Sequence, residues 1–75
     1  MKITTDDIRA IKPGAIKSFP CEDAASMYSG CSLVSILKRK GMPEGVADYE
    51  TQKDFDNNIL IIHAMKEGDV PVLNK

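Results

Sequence analysis

Three side chains in this sequence have the chemistry of soft-metal ligands, or of a thiol nucleophile with its base: Cys21, Cys31 and His63. A structural zinc site usually takes its ligands in close pairs, because a short loop can fold two thiolates onto one ion. Here the cysteines stand ten positions apart, on segments that read as different elements. A Cys–His nucleophile pair needs the imidazole against the thiol and a third group to orient the ring. Cys31 instead falls on an apolar helical stripe, where a thiol packs as a small hydrophobe. The bland reading is better for all three: Cys31 in helix packing, Cys21 in a loop or at a strand end, His63 in a strand. No catalytic residue, metal ligand or cofactor is expected, and a 75-residue chain has little room for a small-molecule substrate pocket.

The charged clusters read the same way. Asp54-Phe55-Asp56-Asn57-Asn58 has the look of a calcium loop but lacks its central glycine and terminal bidentate glutamate. Aspartate and asparagine are what a tight turn prefers. Lys38-Arg39-Lys40 is the one basic cluster. It suits the negative end of a helix, and its alternative use is phosphate contact.

The elements that position these residues follow from pattern. Residues 4–12 form one or two helical turns. Thr4 or Thr5 caps them, Asp6 and Asp7 sit at the positive end, and Ile8 and Ile11 share a face. Pro13-Gly14 ends the element. Residues 15–19 read as a short strand with imperfect alternation, placing Ile16 and Phe19 on opposite faces, with a bulge or an early end at Pro20. Asp23 caps the main helix, whose stripe is Ala24, Met27, Tyr28, Cys31, Val34 and Leu37. Gly41 in a left-handed cap and Pro43 stop it. Gly30, a poor helix former, marks either close packing against a strand or a break into two helices. Residues 46–53 and 59–65, joined through Asp56-Asn57-Asn58, form a β-hairpin.

The expected fold is α+β: a short N-terminal helix and a three-stranded, mainly antiparallel sheet (strand, long helix, β-hairpin), with the long helix packed on one face. Residues 1–75 make one small domain, with an ordered core over 4–66 and a flexible tail over 67–75. Hydrophobic content of 43% and charged content of 28% place the chain with ordered proteins. A net charge of −1 gives no global pull toward nucleic acid or lipid. No apolar run approaches the roughly 20 residues that cross a bilayer, and no secretory pattern is visible. With two cysteines only, free thiols in a cytoplasmic setting are expected.

The strand over 59–65 is apolar on both sides, yet one helix covers one face of a sheet. The second face must meet the first helix, the tail or another chain. The candidate interaction face is therefore Ile59, Ile61, His63, Met65 and Tyr49, for an unknown protein partner or self-association. The alternative is a winged-helix-like DNA-binding regulator. It requires a break at Gly30, a recognition helix over 32–40 with contacts from Ser32, Ser35, Lys38, Arg39 and Lys40, and the hairpin as wing. The acidic hairpin, with Asp48, Glu50, Asp54 and Asp56 against Lys53, disfavours DNA.

One further pattern runs through Ile11-Lys12-Pro13-Gly14, Phe19-Pro20-Cys21, the small residues over 25–32, Tyr49-Glu50-Thr51, Asn57-Asn58-Ile59 and Ile61-Ile62-His63. Over most of the chain it resembles the small uncharacterised proteins carried by bacterial conjugative transposons and related mobile elements. Members of that group are often basic where this chain has His63. The resemblance implies a bacterial cytoplasmic accessory protein; it implies no reaction and supplies no catalytic residue.

Overall fold

The computed structural model describes residues 3–73. Its elements run α1 (Thr5–Arg9), β1 (Ile16–Pro20), α2 (Ala24–Lys40), β2 (Asp48–Asp54) and β3 (Ile59–Met65). The sheet order is β1-β3-β2 with both pairings antiparallel, so the most apolar strand lies in the centre. The fold is α+β, as its pattern predicts.

Local chemistry accounts for the ends of each element. Thr4 caps α1 through a reciprocal pair: its Oγ1 accepts from Asp7 N–H (3.3 Å), and its own N–H donates to Asp7 Oδ2 (2.9 Å). Asp23 caps α2, accepting from Ser26 N–H at 2.9 Å, and that bond holds its carboxyl below the usual range. Gly41 ends α2 differently from the expected left-handed cap. Its φ of 133° pairs with ψ of 124°, an extended conformation reserved for glycine, while its N–H donates to Leu37 O at 2.9 Å.

α2 is unbroken through Gly30. Its buried stripe is Met27, Gly30, Val34 and Leu37, with Cys31 and Leu33 partly buried. The reason is contact. A Cβ at Gly30 would overlap the Leu60 Cδ2 methyl and stand 3.2 Å from Ile3 Cδ1. The helix thus rides directly on the central strand, which is the close-packing alternative. Tyr28, expected on the stripe, is 54% exposed and tilts against Phe55 of the hairpin loop, ring centroids 6.2 Å apart. Admitting Gly30 to the stripe rotates Tyr28 to its edge.

The core lies between the helices and one face of the sheet. Ile8, Ile11, Phe19, Met27, Val34, Leu37, Tyr49, Leu60, Ile62 and Ala64 all belong to it. Phe19 points inward and Ile16 outward, so the predicted split of β1 is present. The irregularity lies at its start rather than at Pro20. Gly14 N–H donates to Ala64 O and Ala64 N–H to Ala15 O, while Ala15 N–H turns back to Lys12 O. Ala64 N–H→Ala15 O and Cys21 N–H→Asn58 O fix the alternation along β1. The main chains of Ile16, Ser18 and Pro20 therefore lie on its outer edge. On β2, the other edge strand, the Tyr49 N–H is taken by Asp48 Oδ1 at 2.8 Å.

The hairpin loop is Phe55-Asp56-Asn57-Asn58, one residue longer than the turn read from sequence. The Asp54 carboxylate accepts from Asp56 N–H, Asn57 N–H and Asn57 Nδ2, and these bonds hold it below its usual range. Asn58 completes the turn at φ 53°, a left-handed conformation that asparagine tolerates. No helix among the described residues is long and apolar enough to cross a membrane.

Candidate interaction face

Register decides which side chains share the second face. Ile16, His63 and Glu50 lie in one row across the sheet; Ser18, Ile61 and Gln52 form the next; Pro20, Ile59 and Asp54 form the third. Met65 extends the central column beyond His63. Of the expected interaction residues, the structure brings Ile59, Ile61, His63 and Met65 to this face. Tyr49 is not among them. It pairs with Ala64 and so points to the core, 1% exposed. Odd positions of β3 pair with even positions of β2, which assigns Tyr49 to the helix side. Burial pushes its phenol above the ordinary range, and its hydroxyl has no hydrogen-bond partner among the described residues.

The face has two unlike ends. At the end of Glu50, His63 and Met65 all three side chains are buried, Glu50 at 7% exposure and His63 at 5%. Glu50 Oε1 lies 2.7 Å from His63 Nδ1 and accepts the N–H groups of Val72 (2.8 Å) and Leu73 (3.0 Å). Toward an ionised Glu50, which only accepts, the ring Nδ1 is the donor. Residues 72 and 73 of the C-terminal segment dock on the second face through their two N–H bonds to Glu50. Residues 74 and 75 lie outside the described residues. Ile3, beyond the expected 4–66 core, is also buried.

At the hairpin end the described residues leave the face partly open. Ser18, Gln52 and Pro20 are exposed, and Ile59 and Ile61 are partly so. A shallow recess of about 370 Å3 beside Ile61 is lined by Gln52, Lys53, Asp54, Phe55 and Asp56, all from the hairpin. Ile16, on the edge strand, is 50% exposed.

An acid orienting a histidine through Nδ1 is two-thirds of a nucleophile-activating triad. The thiols do not supply the third part. Cys31 Sγ faces Thr51 Oγ1 at 3.9 Å on the helix side of the sheet, opposite to His63, and Cys21 Sγ bonds Phe19 O at 3.5 Å. Nor do the thiols and imidazole converge as ligands: no group of three His, Cys, Asp or Glu side chains able to hold a metal ion occurs among the described residues.

The residues of the DNA alternative stay on one continuous helix. Ser32, Ser35, Arg39 and Lys40 are exposed, and Lys38 Nζ pairs with Asp48 Oδ1 at 3.3 Å. A separate recognition helix, the feature a winged-helix arrangement requires, is not formed.

Glu50 is the residue of this face that reading along the strands does not single out. Its signal was arithmetic: a turn centred between Asp56 and Asn57 sets Glu50 opposite His63. Comparison of the chain with family models, with curated proteins and with solved structures returned no match.

Proposed function

We propose that this chain is a non-enzymatic binding module that presents the hairpin end of its second sheet face to a second copy of itself or to a protein partner. The observation that carries the reading is the incomplete cover of the central strand. Ile59 and Ile61 lie on a flat face with Ile16 half exposed beside them, rimmed by the polar Ser18 and Gln52. An apolar centre with a polar rim is the build of an association surface. A two-fold contact sets such a patch against itself without requiring complementary charge, which suits a chain of net charge −1. The non-enzymatic part of the reading rests on the separation of both thiols from His63 by position and existing bonds. The sequence resemblance adds the setting, a cytoplasmic accessory role in a bacterial mobile element.

Sedimentation equilibrium over a wide concentration range tests the self-association form. A reversible dimer that Ile61→Lys dissociates is the expected result. An intact chain that stays monomeric at millimolar concentration would remove it.

A further inference from the structure

We infer that the C-terminal segment over 70–73 is an autoinhibitory strap, latched on Glu50, that masks one end of the second face and lifts to lengthen the binding surface. The inference rests on the reading of that face as the association surface, but its test does not depend on association.

The strap is held by polar bonds more than by packing. Val72 and Leu73 donate consecutive N–H groups to one carboxylate oxygen, which also takes the His63 Nδ1 proton. Three of the strap's four side chains bury little: Val70 is 69% exposed, Val72 47%, and Pro71 is exposed too, while Leu73 is half-buried. A segment with few buried apolar contacts opens at low free-energy cost while the core stays closed. The turn that launches it is self-contained, with Lys66 N–H donating to Asp69 Oδ2 and Asp69 N–H to Lys66 O, both at 3.0 Å. Gly68 in that turn, at φ 91° with open space around it, is a hinge that can move without disturbing β3. Beneath the strap lie Glu50, His63 and Met65, with Pro71 and Met65 lining one crevice. Lifting the strap joins Met65 to Ile61 and Ile59 and lets water reach Glu50.

His63 is the only histidine in the chain, so its modification by diethylpyrocarbonate reports strap opening at one residue. Two variants are compared with the intact chain. One ends after Asp69. The other is Val72→Pro, which deletes one latch donor at an exposed position. In both, His63 is expected to react at least tenfold faster, while the Leu60 and Ile62 amides keep their protection. In Val72→Pro the Leu73 amide is also expected to exchange at least tenfold faster. Unchanged His63 reactivity in the shortened chain overturns the strap, as does undiminished Leu73 protection in Val72→Pro. Sedimentation of the same samples separates the two readings. Faster His63 modification with every sample monomeric upholds the strap and removes self-association. A dimer of unchanged affinity together with unreactive His63 does the reverse.

Discussion

The two ends of the second sheet face differ in what covers them. At one end a carboxylate, an imidazole and two main-chain amides form a buried polar cluster under the C-terminal segment. Two register steps away, Ile59 and Pro20 meet solvent with no such cover. Apart from His63 the strand beneath is apolar at both ends, so much of the difference comes from its neighbours. β2 supplies Glu50 at one end and Gln52 and Asp54 at the other, and of these Glu50 is the one that catches the returning chain. A single acidic side chain decides which half of an apolar face is closed.

Breaking the closed end is expected to have the largest effect. Glu50→Ala leaves the His63 ring and two amides without their acceptor and should cost about 3 kcal/mol, the order found when one partner of a buried pair is removed. Gln52→Ala, one row along on the same strand, should stay within about 0.5 kcal/mol, as exposed substitutions do. Urea denaturation of both variants checks the contrast, and equal losses would erase the distinction between the ends. Next in size is Gly30→Ala, which acts from behind the face. Its methyl presses on Leu60, and overpacking should cost about 1–2 kcal/mol despite the better helix propensity of alanine. The added Leu60→Val should recover part of that loss.

Tyr49→Phe has a smaller effect with the opposite sign. Removing a buried hydroxyl without a partner should leave stability unchanged or raise it by up to about 1 kcal/mol. It should also flatten alkaline unfolding. The raised phenol stabilises the fold below its ordinary pKa of 10.0, and that contribution is lost as pH climbs through the folded value. The smallest effects come from Asp23, which is exposed, and Asp54, which is half-buried in the hairpin. Their lowered carboxyls add stability above the ordinary 3.8, and that stability is lost as pH falls through their folded values. Asp54→Asn should weaken the acid dependence at the hairpin end and leave the Val72 and Leu73 amides protected. An acid melting series with amide exchange reads both.

The fold was legible because its signals are local. Asp23 as cap, the apolar stripe around Met27, Val34 and Leu37, and the Asp–Asn turn each act within a few residues. The closed end was not, because its bonds are distant and partly main-chain. Val72 and Leu73 meet Glu50 more than twenty positions away through N–H groups that every non-proline residue carries, so no residue type marks the contact. Tyr49 was misplaced by parity alone, since one step along a strand exchanges core for surface. Gly30 was readable either way from sequence. The proximity of Leu60 decides it.

The rims of the sheet carry a consequence for how large any assembly grows. Along β1 the outer edge ends on Pro20, which has no N–H to offer an incoming strand. Along β2 the Tyr49 N–H is already taken by the neighbouring Asp48 carboxylate. Each margin thus lacks one N–H that an incoming strand would use, which weakens it as a template for strand addition, the route by which small sheets polymerise into fibrils. Copies meeting through the flat face, as proposed, would bury their isoleucines against each other. Such a pairing closes at two, so a protein with an incompletely covered core strand can remain dispersed rather than growing without limit.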